Sequence, residues 1–321
     1  MRTPLTELLG VEHPVMLAGM GGVSYADLVA AVSNAGGYGC LGASTMTQDQ
    51  LVSEIAATRA KTDKPFGVDL LTAMAGDMLR SVDLLIEGGA SMFVAGLGVP
   101  TAAVERCHEA GVLVANMCGK VDHARRAIDA GCDLVIAQGT EAGGHTGQVA
   151  TLPLVPMVVD AVGGVVPVVA AGGIFDGRGL AAALSLGADG IWVGTRFIAT
   201  PEARTVVGFK DSILDADEAG TTISRAFSGK TMRVIKNDTT AHYDAHPDEL
   251  QPFPEQLMTA FNQQFFHLGG DEHSVGVDPA REGYPAGQAV GAISTLTPAA
   301  TIVATIVAEA DAALGRLASL R

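Results

Sequence analysis

The feature that most restricts the fold of this chain is the regular alternation of short apolar runs with amphipathic segments of helical length. The apolar runs have the length of buried strands, and helical segments such as 24–34, 47–60, 101–110, 120–130 and 178–186 separate them. This alternation predicts an α/β fold with a parallel sheet, and eight strands favour a closed (β/α)8 TIM barrel. The eight predicted strands lie at residues 14–18, 38–41, 65–68, 91–94, 111–115, 133–137, 166–170 and 190–194.

Several predicted helices end in a short motif that contains a glycine. Each motif predicts a helix closed by a left-handed glycine, followed by a direct turn into the next strand. A doubly wound open sheet is the alternative. It is less favoured because Gly19-Met20-Gly21-Gly22 does not match the Gly-x-Gly-x-x-Gly that follows the first strand of such a sheet. The glycine motifs at the helix ends lie at residues 34–37, 87–90, 109–112, 129–132 and 186–189.

The composition suits a compact α/β enzyme, with 48% hydrophobic and 17% charged residues in 321. The formal net charge of −15 repels phosphate backbones and anionic membranes, so neither nucleic acid nor a membrane is expected as a partner. The N-terminus lacks the basic and apolar regions of a signal peptide, which predicts a soluble, cytoplasmic protein. Cys40, Cys107, Cys118 and Cys132 lack Cys-x-x-Cys spacing and are expected to be reduced core thiols.

The barrel accounts for the chain up to about residue 210, and the composition then becomes more polar. Residues 211–290 contain Phe261, Phe265 and Phe266 among histidines and prolines, which predicts a small helical or loop subdomain over the barrel mouth, where lids and substrate pockets lie. Residues 291–321 end in a stretch of good helix formers, which predicts a helix that closes onto the barrel.

The stretch Gln138-Gly139-Thr140-Glu141-Ala142-Gly143-Gly144-His145-Thr146-Gly147 follows the sixth apolar run and has no periodicity of its own. Its glycines let the backbone approach a ligand closely, and its glutamine, glutamate and histidine supply polar groups. The stretch is therefore predicted to be a functional loop at the end of a strand, with His145 as the candidate acid or base.

This loop is similar to the signature loop of the nitronate monooxygenase family, the former 2-nitropropane dioxygenases, and of the related flavin-dependent enoyl-acyl-carrier-protein reductases. The resemblance implies an FMN enzyme on a (β/α)8 barrel, with His145 as the catalytic residue. Asp69 departs from the family pattern, which usually has an asparagine beside the FMN, and an aspartate there adds negative charge unless it is protonated or paired.

Glycine-bearing turns after the seventh and eighth strands expose backbone N–H groups, as barrels of this type do to hold a phosphate. Small residues after the first strand leave room for a flat ring. With the resemblance, these positions form the predicted FMN site, which consists of Ala18, Gly19, Met20, Asp69, Gln138, Gly143, Gly144, Gly172, Gly173, Trp192, Val193, Gly194 and Thr195. Arg196 either neutralises the phosphate or pairs with Glu202.

A local basic patch, Arg225, Lys230, Arg233 and Lys236, interrupts this acidic sequence. It is either a solvated face or a site for the phosphates of a substrate tail, such as coenzyme A or a carrier's phosphopantetheine, or of a nicotinamide cofactor. Arg233 and Lys236 are the candidate substrate residues.

His242 and His246 have the i, i+4 spacing of a helical metal pair. Since no third ligand at a recognisable spacing follows, no metal site is predicted.

The primary functional hypothesis is a nitronate monooxygenase that oxidises alkyl nitronates with O2. The first alternative is an NAD(P)H-dependent FMN reductase of an enoyl thioester, carried on coenzyme A or a carrier protein, or of a quinone. The second is a barrel that binds a phosphate ligand without redox chemistry. The substrate is a small molecule in the first two cases. The sequence leaves the oligomeric state open, and a homo-oligomer is one alternative.

Overall fold

The computed structural model describes residues 1–72, 77–96, 98 and 100–320. The strands are β1 (Val15–Leu17), β2 (Gly39–Gly42), β3 (Phe66–Leu71), β4 (Met92–Gly96), β5 (Leu113–Cys118), β6 (Leu134–Gln138), β7 (Gly144–His145), β8 (Val168–Ala171), β9 (Gly190–Val193), β10 (Thr221–Ser224) and β11 (Met232–Ile235). The helices are α1 (Pro4–Leu9), α2 (Ala26–Asn34), α3 (Gln48–Lys61), α4 (Met78–Glu87), α5 (Thr101–Glu109), α6 (Val121–Asp129), α7 (Thr151–Val162), α8 (Gly177–Ser185), α9 (Thr195–Ile198), α10 (Phe209–Asp215), α11 (Asp238–Ala245), α12 (Glu255–Asn262) and α13 (Ala299–Ala318).

Eight of these strands form one parallel sheet in the order β1-β9-β8-β6-β5-β4-β3-β2. The two ends of this sheet meet at a parallel bridge between Met16 and Tyr38. There Leu17 N donates to Tyr38 O at 2.9 Å, and Tyr38 N donates to Val15 O at 2.9 Å. The sheet therefore closes into the predicted (β/α)8 barrel, and all eight predicted strands are confirmed.

Successive residues of each strand point to opposite faces, so the barrel has two apolar cores. Inside it, Met16, Ile136 and Trp192 belong to one buried cluster, which also contains Leu5 and Leu9 of α1. The hydroxyl of Thr3 donates to Asp189 O at 2.7 Å and so fixes α1 at the amino ends of the strands. The second core fills the space between the strands and the surrounding helices.

The glycine motifs end the helices as predicted. Each contains a glycine with positive φ, a conformation that residues with a Cβ rarely adopt. The angles are +85° at Gly36, +78° at Gly89, +73° at Gly111, +89° at Gly131 and +91° at Gly187. The helix therefore ends within a residue or two and the chain enters the next strand directly.

The part of the chain after residue 210 contains a small antiparallel sheet, β10-β11-β7, beside helices α11 and α12. The prediction of a helical or loop subdomain missed this sheet, because β10 and β11 are four residues long and β7 comes from the distant loop of residues 138–147. Phe265 and Phe266 pack in its buried core, whereas Phe261 is 37% exposed. The division into units 1–210, 211–290 and 291–321 stays a prediction.

The closing helix α13 packs against α8 and α2. The contact with α8 is close at Gly177, where a Cβ atom would lie 2.3 Å from the backbone of Ile306 and of Ala310.

Among the described helices, none combines the length and the apolar character that a membrane crossing requires. The four cysteines are free and buried, which confirms the prediction of core thiols. Burial raises the pKa of Cys107, Cys118 and Cys132 to about 12.

Two glycine-to-alanine substitutions test the packing of the barrel. A Cβ at Gly39 would lie 2.3 Å from Val29 O of α2, whereas Gly315, inside α13, has no such atom within 4 Å. Gly39→Ala should lower the free energy of unfolding by about 3 kcal/mol, and Gly315→Ala should raise it by roughly 0.5–1 kcal/mol. Urea unfolding measures both values. Equal effects would contradict the close contact of β2 with α2.

Candidate active site

A cavity of about 1410 Å³ lies at the carboxyl ends of the barrel strands, the end at which barrel enzymes place their reactive groups. Residues of the mouth subdomain, which we define as residues 211–290, cover part of it. The structure brings nearly all of the predicted site residues together around this cavity. Those that line it are Ala18, Gly19, Met20, Asp69, Gln138, Gly143, Gly144, His145, Gly172, Gly173, Trp192, Gly194 and Thr195.

Three predicted site residues do not line the cavity: Val193, Arg233 and Lys236. Val193 alternates with Trp192 along β9, so Trp192 faces the barrel interior while Val193 packs in the outer core. Lys236 is exposed at the surface. The structure therefore gives no support to a direct contact of these side chains with a ligand in the cavity.

Arg233 is a support of the loop of residues 138–147 rather than part of a solvated patch. It is 6% exposed, its Nε donates to Thr140 O at 2.9 Å, and its Nη1 donates to Thr221 Oγ1 at 3.2 Å. The backbone of Arg233 also pairs with Gly144 in the small sheet. One buried guanidinium thus ties the loop to both β10 and β11.

The polar residues of the loop have separate tasks. Gln138 Nε2 donates to His145 O at 2.8 Å, which folds the far end of the loop back onto β6. The carboxylate of Glu141 accepts from the N–H and the hydroxyl of Thr151, both at 2.9 Å, and so holds the loop to the start of α7. Glu141 is absent from the cavity lining. Its function is therefore to shape the loop.

Gly143 is a glycine because another backbone segment passes directly over it. A Cβ at this position would lie 2.7 Å from the Cα of Ala286 and 2.8 Å from Gly287 N. In the same region Gln288 N donates to Glu141 O at 2.9 Å, and Gly287 N donates to Thr195 Oγ1 at 2.9 Å. Residues 286–288 therefore join the loop to the end of β9.

His145 projects from this frame into the cavity, with its Nε2 3.0 Å from Ser228 Oγ. Burial and, to a lesser extent, the nearby charge of Lys230 together lower the pKa of His145 to about 4. The imidazole is therefore neutral at physiological pH. Sequence reasoning missed Ser228 and gave Lys230 only as part of the basic patch. The available signal was the polar turn Ser228-Gly229-Lys230 just before a strand.

The turns after β8 and β9 form a cradle of backbone N–H groups. Gly172 and Gly173 have φ of +102° and +73°, and Gly194 precedes the first turn of α9. In the part of the chain that the structure describes, the N–H groups of Gly173, Gly194 and Thr195 donate to no other residue. Free N–H groups at such turns suit an anion, and a phosphate above all.

Asp69 ends in the cavity wall at the carboxyl end of β3 and is only 5% exposed. Burial raises the pKa of its carboxyl group well above the ordinary value. No cation pairs with it among the described residues. The environment therefore favours the protonated form, one of the two conditions under which an aspartate here adds no negative charge.

Further polar groups of the cavity were not predicted. Asn116 is buried at the end of β5, and its Nδ2 donates to Ala95 O at 2.9 Å and to Gly98 O at 2.8 Å. Its signal in the sequence was a single asparagine at the end of an apolar run. Lys120, His123 and Arg126, on α6 and the residue before it, also line the cavity. Asp129 of α6 lines the cavity as well, and Arg126 pairs with Asp122 at 2.9 Å, so Lys120 is the cavity-lining cation of this segment without an ion pair among the described residues.

Two other expectations about charged residues need correction. Arg196 does not pair with Glu202: its Nη1 donates to Thr295 O at 3.2 Å, while Glu202 accepts from Ala299 N at the start of α13. Arg196 does not line the cavity either. The second correction is that His242 and His246 do have a third candidate ligand, Glu249, beside them.

The role of Arg233 is tested by comparing it with Lys236, the other residue predicted to bind substrate. Arg233→Met leaves Thr140 O without its buried donor and should lower the free energy of unfolding by about 1–3 kcal/mol. Lys236→Met changes an exposed side chain and should change it by less than about 0.5 kcal/mol. Chemical denaturation measures both. A stable Arg233→Met variant with weakened substrate binding would instead make Arg233 a ligand of the substrate.

The protonation of His145 gives a pH prediction. Because its pKa is lowered to about 4 in the folded chain, against about 6.5 in an unfolded one, the ring stays neutral as pH falls from 8 to 5.5. As the pH falls, His145 binds a proton in the unfolded state before it does so in the folded state. Its contribution to the free energy of unfolding is therefore lost between about pH 6.5 and about pH 4. NMR of the ring carbons measures the titration. A midpoint near pH 6.5 would contradict the burial of this ring.

Comparisons with known proteins agree with this geometry. The sequence model of the nitronate monooxygenase family matches residues 2–80 and 72–309. A (3aS,4S,5R,7aS)-5-hydroxy-7a-methyl-1-oxo-octahydro-1H-indene-4-carboxyl-CoA dehydrogenase of Mycobacterium tuberculosis is 46% identical over 239 residues, which are 74% of this chain and 67% of that protein.

Two solved structures share the fold over nearly the whole chain. FabK from Thermotoga maritima is 34% identical, with a TM-score of 0.90 and coverage of 100% of both chains. A nitroalkane oxidase from Streptomyces ansochromogenes is 29% identical, with a TM-score of 0.84, covering 98% of this chain and 100% of its own. The match of the family model over most of the chain, with the barrel and the loop histidine, shows that this chain is an oxidoreductase of the nitronate monooxygenase family.

Proposed function

We propose that this chain is an FMN-dependent nitronate monooxygenase, which oxidises alkyl nitronates with O2. The observation that carries the proposal is the presence of the neutral His145 and of the cradle of free N–H groups around one cavity. The first can serve a reacting small molecule and the second a phosphate. The membership of the family supports the same conclusion.

The residues present fit FMN. The N–H groups of Gly173, Gly194 and Thr195 would hold its phosphate, since they lack other acceptors among the described residues. Gly19 and Gly194 line the cavity without side chains. A Cβ at Gly19 would lie 2.2 Å from the Cβ of Asp69, so this glycine lets Asp69 pack closely in the cavity wall. When bound, FMN supplies the redox chemistry: it takes electrons from the substrate and passes them to oxygen.

The depressed pKa of His145 bears on the substrate. An imidazole with a pKa of about 4 is a weak base, so it is poorly suited to remove a proton from a neutral nitroalkane. It can hydrogen-bond to a nitronate, which arrives already ionised, and the nearby ammonium of Lys230 supplies a compensating charge. Ser228 holds the ring at Nε2. The site therefore favours the anion over its conjugate acid.

The second candidate is an enzyme that carries out a redox reaction on an acyl thioester. If the reaction is a reduction, NAD(P)H supplies the electrons, and a quinone is the alternative substrate of such a reductase. It is favoured by the cavity, whose volume of about 1410 Å³ exceeds what an ordinary ligand needs. Lys120, Arg126 and Lys230 line the same cavity and could contact the phosphates of coenzyme A. The carboxyl-CoA dehydrogenase of Mycobacterium tuberculosis, a similar protein, also supports this candidate.

The third hypothesis, a barrel that binds a phosphate ligand without redox chemistry, is not retained, because the chain belongs to a family of oxidoreductases. The acidic net charge of −15 supports the further proposal of small molecules rather than nucleic acids as partners. A cytoplasmic location remains a proposal. The use of NAD(P)H and a homo-oligomeric state stay open within this proposal.

Replacement of His145 tests the proposal. His145→Ala should still bind FMN with nearly unchanged affinity, because the phosphate cradle lies on other strands. It should lower turnover of an alkyl nitronate by a factor of about 10² or more, because the hydrogen bond to the nitronate is lost. The matched control is His108→Ala, an exposed histidine paired with Asp133 outside the cavity. Oxygen consumption and flavin absorbance measure the two properties. Turnover of His145→Ala near that of the control would remove His145 from the mechanism.

A further inference from the structure

Three side chains that bind transition metals meet on the surface of the mouth subdomain. His242 lies in the last turn of α11, His246 is the residue after this helix ends, and Glu249 ends the short 3-10 turn that follows. Each offers one ligand atom, and these atoms all lie within 4.8 Å of one another. None of the three residues lines the cavity, so the cluster is separate from the candidate active site.

We propose that His242, His246 and Glu249 form a binding site for a divalent transition-metal ion of the zinc class. Two imidazoles and one carboxylate are a common ligand set for Zn²⁺, and they leave a fourth position for water. No step of the proposed oxidation uses this site. We infer instead that the ion fastens the end of α11 to the following turn.

The hydrogen bonds of His246 leave it ready to bind a metal. Its Nδ1 is 2.9 Å from the carbonyl oxygen of His242, an acceptor, so Nδ1 carries the proton and donates it. The lone pair is then on Nε2. A metal-binding histidine usually donates its other ring nitrogen to a carbonyl or carboxylate in this way, which fixes both tautomer and ring orientation.

The local fold keeps the other two ligands close to His246. The ring of Tyr243, which is buried, contacts His242 edge-on with 5.1 Å between centroids. The rings of His242 and His246 are stacked with 4.7 Å between centroids, so one ring must turn about its side-chain bonds for both lone pairs to meet one ion. Glu249 N donates to His246 O at 3.1 Å, so the turn brings the carboxylate back to the helix. Part of the entropy cost of assembling the site is therefore met by the fold.

The three ligand atoms lie within 4.8 Å of one another, so binding draws the more distant atoms closer together. In a tetrahedral zinc site with bonds of about 2.0–2.2 Å, ligand atoms lie roughly 3.3 Å apart. His242 Nε2 and Glu249 Oε2 are 2.9 Å apart, and about half of each side chain is exposed, so both are free to adjust. Asp244 and Asp248 are exposed in the same segment and add negative charge that attracts a cation.

The test uses the full-length, FMN-loaded chain after treatment with a chelator. Calorimetric titration with Zn²⁺ should show one ion bound per chain, and Co²⁺ should give visible absorption bands of four-coordinate geometry. His246→Ala should weaken Zn²⁺ binding at least about tenfold. The matched control is His273→Ala, which alters an exposed histidine 3.7 Å from the carboxylate of Glu272. This control should bind Zn²⁺ like the unchanged chain.

Circular dichroism melts without metal check that both variants remain folded. Added Zn²⁺ should raise the melting temperature of the unchanged chain and of His273→Ala, and it should not raise that of His246→Ala. The proposal is overturned if Zn²⁺ does not bind stoichiometrically, or if His246→Ala and His273→Ala bind it equally well. It is also overturned if the bound Co²⁺ spectrum survives in His246→Ala.

Discussion

The candidate active site depends on one buried interaction, the contact of Arg233 with the carbonyl of Thr140 in the glycine-rich loop. Apart from the two residues of β7, which pair with β11, the loop has no hydrogen-bond ladder, so its shape must be imposed by its neighbours. Here the neighbours are Arg233 of β11, Gln138 of β6 and Thr151 of α7, which hold the loop from different sides. The position of His145 is the result of these contacts.

Burial gives the cavity its chemistry. It keeps His145 neutral by lowering its pKa and favours the protonated form of Asp69 by raising its pKa, so two groups that could carry charge tend not to. Both shifts have desolvation as the largest cause. Backbone N–H groups after β8 and β9 remain as binding groups for an anion, while Asp129 and Glu282 line other parts of the cavity. The cradle therefore favours a phosphate, and the end of the cavity at His145 stays uncharged.

The barrel could be predicted from the sequence because its signals are local. Each strand is a continuous apolar run, and a glycine with positive φ ends the helix wherever the glycine motif recurs. The loop and most of the predicted FMN site were found through glycines and one histidine. What sequence reasoning missed depends on contacts between distant residues. Arg233 was expected at a substrate, yet its partner Thr140 lies 93 positions earlier, and Ser228 is 83 positions from His145.

In a nitronate monooxygenase, a nitronate reduces the bound flavin without any other reductant. The most direct measurement is anaerobic stopped-flow mixing of the FMN-loaded chain with a small alkyl nitronate and, separately, with NADH and NADPH, while flavin absorbance is followed. We expect bleaching by the nitronate without any nicotinamide, and recovery of the absorbance when oxygen is admitted. Bleaching by a nicotinamide only, with no response to the nitronate, would contradict this expectation and establish the reductase alternative.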